Sequence, residues 1–385
     1  MASDRRRRRK FRRRRIVIAV AAVVVVLLSW SLVGAATTPG NSGLNAKWAD
    51  WMRAHHAGFL INKAETWYYD LSAPTKGGHL KALNALPKAT ASGHKGPAAA
   101  KLPPHLPLPP PVPLVVTPGV PGEGVWQPVG PTVDGLPTME VAQFRADNIY
   151  TSQITSAVWI DPLLAHIQLI PGIVEPGGTW SQPPYISPAE LPTAVAAFNS
   201  GFLFRDAQGG FYLDGRYGRP LVNGAASLVL YKNGTVNVGA WGTEVTMTPQ
   251  VVAVRQNLVP MVDNGQITKN ATYNDSTVWG ATLGAATVVA RSGVGVTASG
   301  ALVYVAGPAL SARTLAESLQ RAGAVRGMTL DINPEWVTFN FYAHPNPANP
   351  SIISASKLFP QQQRPATRYL PPAQSARDFF LVSVP

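Results

Sequence analysis

The sequence predicts an α+β fold: a strand-rich mixed domain with hairpins and one late helix, preceded by an N-terminal transmembrane helix and a Pro-rich stalk. Three observations carry this. A charge-free apolar run, Ile16 to Ala36, follows a dense basic block. A proline-crowded stretch then interrupts the chain before residue 125. Beyond it, β-rich runs alternate with turn signals, and a single convincing amphipathic helix arrives late.

The basic block comes first. Of the 33 Lys and Arg residues, ten lie in "DRRRRRKFRRRR", Asp4 to Arg15, which holds one acid; the rest of the chain carries 23 basic against 19 acidic side chains. The net charge of +13 is therefore local. It gives no ground for a nucleic-acid partner. The run "IVIAVAAVVVVLLSWSLVGAA" is long enough to cross a hydrocarbon core of about 30 Å as a helix. A cationic flank on its N-terminal side keeps that end, residues 1–15, cytoplasmic and places the main domain outside the cell membrane. A cleaved signal sequence is the alternative, because Val33 and Ala35 occupy −3 and −1 of a plausible cleavage site. Both readings export the domain.

Residues 37–71 form the juxtamembrane part. Trp48, Trp51, Met52 and Phe59 recur near helical spacing, which suits a helix at the membrane–water boundary or one packed on the main domain. Residues 72–124 read as a Pro/Ala-rich linker that ends in "KLPPHLPLPPPVPLVVTPGVPGEG". Proline at that density favours extended polyproline II, hence a semi-rigid stalk.

Residues 125–385 form the globular domain. "ASLVLYKNGTVNVGAWG" places two β-rich runs around Asn233-Gly234, and "SGVGVTASGALVYVAG" repeats the plan around Ser299-Gly300. "NIYTSQITSAVWIDPLLAHIQLIPG" offers two more strands, expected to pair with each other. "SARTLAESLQRAG" is the late helix, with Leu315 and Leu319 on one face, Thr314 and Glu317 as a capping box and Gly323 as the stop.

The residue inventory narrows the chemistry. There is no cysteine, so thiolate metal sites and cysteine nucleophiles are out. His166 and His344 are the two histidines of the domain, and no HExxH, EF-hand, P-loop, G-x-G-x-x-G or G-x-S-x-G pattern is present. The sequence names no metal and no cofactor. Carboxylates, arginines, amides and turn glycines remain, the equipment used on sugars and phosphates. "AVAAFNSGF" puts Asn199 and Gly201 at a strand end, "AVRQNLVPMVDNGQ" supplies Arg255 and Asp263, and "ARSGVGVT" places Arg291 at a hairpin edge. "GMTLDINPEW" sets Asp331 and Glu335 four residues apart, with Asn333 and Trp336 beside them. Each has a plain structural reading too: Asn199 as a turn residue, Arg255 as an ion pair, Asp263 as the first residue of a turn. Trp336 and Trp279 suit either sugar-stacking platforms or core.

Taken in order, these stretches resemble a known family. A-F-N-S-G-F, a hairpin, Arg291 before S-G-V-G-V-T-x-x-G, then T-L-A-x-x-L-x-x-x-G-A and Leu330-Asp331 are similar to the phosphodiester glycosidase family. The resemblance spans roughly Met139 to Pro385. It implies hydrolysis of a sugar 1-phosphodiester, such as the N-acetylglucosamine-1-phosphate linkages of bacterial wall polymers. By position, Asn199 falls on the family's Asn-Gly-Gly strand end, Arg291 on the arginine before its hairpin, and Asp331 on the aspartate of Leu-Asp-Gly-Gly-Gly-Ser. The resemblance thus implies a catalytic Asp331, and the residue reading adds Glu335 and Asp263 as further candidate carboxylates. Asn199, Gly201, Arg255, Arg291, Asn333 and Trp336 are then expected to contact a carbohydrate or sugar-phosphate substrate. After Asp331 the chain departs from the pattern: Ile332, Asn333, Pro334 and Glu335 stand where the family has three glycines and a serine. Pro334 has no N–H to offer a phosphate. Either the loop serves a different sugar through Glu335 and Trp336, or the phosphodiester chemistry is lost. In the second case the domain is a non-catalytic glycan-binding module or a structural envelope protein.

Overall fold

Strand alternation decides how this domain is layered. In the strand Leu302–Leu310, Leu302, Tyr304 and Ala306 enter one apolar cluster while Val303 and Val305 enter another. A strand whose two faces are both apolar must be covered on both sides. One face packs on two further sheets, and the late helix Ala312–Arg321 covers the other through Leu315 and Leu319.

The computed structural model describes residues 2–58, 61, 73–91, 104–273, 276–279, 287–346 and 348–384. Among them lie 19 strands in three sheets. The first sheet has nine strands, with Leu136–Phe144, Thr155–Ile160, Leu302–Leu310, Val289–Thr297 and Ala324–Thr329 as its centre. The second has five, centred on Ala226–Tyr231 and Val251–Gln256. The third also has five, centred on Phe339–Ala343, Ala194–Asn199 and Phe379–Ser383. All paired strands are antiparallel except Ala89–Ala91 with Gln127–Val133. Phe198, Phe339 and Phe380 stack between the layers, with Phe198 5.1 Å from Phe380 and 5.7 Å from Phe339.

Both expected hairpins are present, Ala226–Tyr231 with Val236–Ala240 and Val289–Thr297 with Leu302–Leu310. Gly300 turns the second at φ +98°, a conformation that L side chains rarely adopt. The late helix is also present, but its cap sits three residues earlier than expected. Ser311 is the N-cap: its Oγ accepts the Thr314 N–H at 3.0 Å, and Thr314 Oγ1 accepts the Ser311 N–H at 2.9 Å. Thr314 is thus the returning partner of the box, and Glu317 instead pairs with Arg313 one turn back at 2.8 Å.

Two expectations fail. The strands Thr155–Ile160 and His166–Ile170 do not pair with each other. The first joins Leu136–Phe144 and Leu302–Leu310; the second joins the C-terminal strand Phe379–Ser383 in the third sheet. The connection across Asp161 to Ala165 therefore crosses between layers rather than forming a hairpin. Asp161 Oδ1 accepts the Leu163 N–H there, and its Oδ2 accepts that of Leu106.

Nor does the Pro-rich segment stand free as a stalk where it is described. Val112 is buried and donates its N–H to Gly124 O at 2.8 Å. Prolines donate nothing, but their carbonyls still accept: Trp126 Nε1 binds Pro110 O at 3.1 Å and Arg321 binds Pro113 O at 3.0 Å. Glu123 completes the attachment through a buried two-pronged pair with Arg145, at 2.9 and 2.8 Å. The linker residues 92–103 lie outside the described residues, as does Phe59 of the expected juxtamembrane helix.

The N-terminal helix runs Ala2–Ala36, and its part Arg12–Ala36 is long and apolar enough to cross a membrane. It could be a membrane span or a signal sequence. A short helix, Leu44–Ala54, folds back on its end: Trp48 Nε1 donates to Ser31 Oγ at 2.9 Å and Trp51 meets Trp30 edge-on at 4.9 Å. Between the two helices, residues 37–43 reach the main domain. Asn41 donates from its backbone to Gln374 O at 2.7 Å and from Nδ2 to Arg368 O at 2.5 Å, and the Gly43 N–H meets Glu335 Oε1 at 3.1 Å.

Candidate active site

The ends of strands from the first and third sheets meet at one cavity, tied to the second sheet by side chains. Ala194–Asn199 ends there, Phe379–Ser383 begins there, and Ala324–Thr329 runs out into Leu330-Asp331. Asn199, Ser200, Gly201, Asp331, Trp336, Arg368, Tyr369, Ser375, Arg377 and Asp378 line it. Its free space of about 10 Å³ is room for a single water.

Asp331 is the best-placed acid. A cross-strand bond and a local turn hold it: its backbone carbonyl accepts the Ser292 N–H at 2.8 Å, and its Oδ1 accepts the Asn333 N–H at 2.9 Å. Oδ2 accepts from Arg377 at 2.9 Å. Burial pushes its pKa up to about 6; Arg377 and the backbone N–H groups pull the other way without cancelling it. A carboxyl near 6 titrates within reach of neutral pH, as a general base or nucleophile must.

The loop after Asp331 replaces glycines with side-chain turns. Asn333 Oδ1 accepts the Glu335 N–H at 2.9 Å, while its backbone carbonyl accepts those of Trp336 and Val337. Asn333 thus shapes the turn. Glu335 is drawn away from the cavity, gripped by Arg364 and by the Gly43 N–H. Trp336 lines the cavity but is buried, with Arg377 over its ring at 3.9 Å and Arg368 at 4.8 Å. Guanidinium groups occupy the ring that a sugar would have stacked upon. Trp279, the other possible platform, is core, its Nε1 bonded to Asn270 O at 3.0 Å.

Asn199 reaches the cavity with its amide fully engaged. Nδ2 donates to Ser200 O and Ser292 Oγ, and Oδ1 accepts from Tyr304 at 2.9 Å and Thr338 N–H at 3.0 Å. It fastens the first sheet to the third, and both amide protons are in use. Gly201 is required by a neighbour: a Cβ there would lie 2.9 Å from Asn257 Oδ1. Asn257 in turn donates to the carbonyls of Thr329 and Leu330, fixing the approach to Asp331.

Three expected site residues lie elsewhere or have other duties. Arg255 is buried, and its Nε, Nη1 and Nη2 are bonded to Asp378, Gln256 O and Phe202 O. It supports the cavity from behind by holding Asp378, whose Oδ2 also accepts from Ser200 Oγ at 2.5 Å. Arg291 does not reach the cavity. The alternation of its strand aims Ser292 at Asn199 and sends Arg291 to the opposite face, where it donates to Leu310 O and Thr287 O and burial lowers its pKa to about 10. Asp263 is the first residue of the Asn264-Gly265 turn, and its Oδ2 accepts from Asn264 Nδ2 at 3.3 Å.

Sequence reasoning missed Arg368, Tyr369, Arg377 and Asp378. The available signal was "ATRYLPPAQSARDFF": two arginines and an aspartate crowded before an apolar terminal strand.

No protein-family model matches the chain, and no curated protein matches it. Solved structures do. The zebrafish N-acetylglucosamine-1-phosphodiester alpha-N-acetylglucosaminidase catalytic domain, auto-inhibited by its pro-peptide, is similar over 66% of this chain and 84% of that one, at 14% identity and a TM-score of 0.39. A hypothetical protein from Synechocystis is similar over 66% of this chain and 65% of that one, at 13% identity and a TM-score of 0.36. These likenesses are distant, and no residue role is carried over from them.

Proposed function

We propose that the chain is an exported, membrane-anchored hydrolase that cleaves a sugar 1-phosphodiester, with Asp331 as the reacting carboxylate. The observation that carries this reading is the setting of Asp331: buried, titrating near 6, held by Arg377 and set in the wall of the cavity. Above that pH it is ionised beside a guanidinium and acts on water or directly on the anomeric carbon. The C1–O bond breaks and its electron pair leaves on the phosphate oxygen, giving a phosphomonoester. The hydroxyl group of water ends on C1 and its proton on Asp331. Phosphate is already a good leaving group, so a second carboxyl has little protonation to supply. That suits a site in which Glu335 is held elsewhere.

The test is hydrolysis of an N-acetylglucosamine-1-phosphodiester by the full chain in detergent, beside Asp331→Asn. The full chain is needed because residues 104–124 and 41–43 pack on the domain. Turnover that is lost in the variant supports the reading. A folded wild-type protein that leaves a panel of sugar phosphodiesters intact overturns it. One observation weighs against turnover and leaves a glycan-binding module as the second reading: Asn199 and Arg255, two expected substrate contacts, have every side-chain nitrogen bonded within the protein. Glycan binding without turnover would establish that alternative.

A further inference from the structure

Four guanidinium groups surround the cavity or back it, and three have a carboxylate: Arg255 has Asp378, Arg377 has Asp331 and Arg364 has Glu335. Arg368 has none among the described residues. It is 3% exposed, and only its Nη1 is bonded, to Glu335 O at 3.1 Å. Its Nε and Nη2 are buried with no hydrogen-bond acceptor, and so is Nε of Arg377. Buried donors without acceptors are costly, the more so on a charged group.

The pattern of the unused donors is informative. Nε and Nη2 form one edge of the guanidinium plane, the fork that takes two oxygens of a single anion side by side. Trp336 and Tyr369 hold that plane, with the Arg368 guanidinium carbon 4.8 and 4.9 Å from their ring centres. Arg377 Nε adds a third donor from a second guanidinium over the same Trp336. A planar carboxylate is satisfied by one fork. A tetrahedral anion presents a further oxygen to the additional donor.

We propose that the free edge of Arg368, with Nε of Arg377, is the recognition point for the phosphate of the substrate. This assignment rests on the reading of the cavity as the reaction site. Asp378 Oδ1, which also lacks a partner and faces the same cavity, repels an anion and confines it to the arginine side. A phosphate exceeds the space of one water, so its binding widens the cavity.

The test is calorimetric titration of the full chain in detergent with inorganic phosphate at low ionic strength. Wild type and Arg326→Gln, whose arginine lies away from the cavity beside Asn237, are expected to bind saturably and alike. Arg368→Gln is expected to weaken binding by at least about tenfold, since charge-assisted bonds are lost. Arg368→Lys, which keeps the charge and a donor for Glu335 O, should also weaken it, because an ammonium has no fork; this variant serves if the glutamine form fails to fold. Absent binding, or binding indifferent to both Arg368 variants, overturns the assignment. Acetate competing as well as phosphate overturns it in favour of a carboxylate site. The two readings fail separately: Arg368-dependent phosphate binding without diester turnover sinks the hydrolase alone. Turnover with an unchanged KM in Arg368→Gln sinks the phosphate site alone.

Discussion

Asn199 and Arg368 line the same cavity and are opposites in their bonding. The amide has used both protons and its oxygen on its own protein, joining two sheets; the guanidinium has left an entire edge free. A polar residue on a suggestive motif is therefore no guide to which group meets a ligand. Bonding capacity left over after folding is the better guide, and around this cavity it lies in the C-terminal segment, on Arg368, Arg377 and Asp378.

The sharpest way to break this contrast is to remove the fastening. Asn199→Ala leaves the Thr338 N–H buried without an acceptor and Tyr304 Oη with only its longer bond to Thr338 O, so a loss of about 3 kcal/mol in denaturant unfolding is expected. A loss below about 1 kcal/mol would mean that the amide is not structural. Next comes Asp331→Asn, predicted to lower turnover about a thousandfold while the protein stays folded.

The pH dependence of Asp331 has two signs. On the hydrolase reading the ionised form is the active one, so kcat/KM should fall as the pH drops through about 6, and a flat profile there would remove Asp331 from the chemistry. Stability runs the other way. The folded pKa is raised above the ordinary 3.8, so the folded state binds the proton more tightly, and this group's contribution declines as pH rises from about 4 to about 6. Asp331→Asn should remove that slope from unfolding titrations.

Smaller effects separate shape from chemistry. Gly201→Ala forces a methyl against Asn257 and should cost about 2 kcal/mol in unfolding free energy. Ser311→Ala, on the opposite face of the first sheet, removes only a helix cap; a loss of about 1 kcal/mol with unchanged turnover is expected.

Local signals were readable wherever one residue type dictates one conformation. Asn233-Gly234, Ser299-Gly300, the Leu315/Leu319 face and the Gly323 stop all report on their immediate neighbours, and the hairpins and helix formed there. Pairing across the chain was not readable. His166–Ile170 finds its partner more than two hundred residues later, in Phe379–Ser383, and no periodicity in either strand reveals it. The cavity suffers from the same blindness. Asp331 stands out as a carboxylate ending an apolar run, but Arg377 meets it only because the terminal strand lies beside Ala194–Asn199. Arg291 was misplaced by one step of strand alternation, which aims Ser292 inward instead. The proline-rich segment misled for another reason: composition reports that prolines cannot form a core, and is silent on whether their carbonyls accept bonds from one.

The attachment at Asn41 and Gly43 sets a leash. Thr37 to Gly40 are all that separate the end of the first helix, Ala36, from Asn41, so the chain there spans at most about 18 Å. A long tether would let a catalytic domain sweep through the wall and sample distant polymer. This one is moored by its first residues outside the helix, beside Arg368 and Glu335. If the helix remains in a bilayer, the cavity lies within a shallow layer at the membrane surface. On the hydrolase reading, bonds presented close to lipid are then within its reach and distant ones are not.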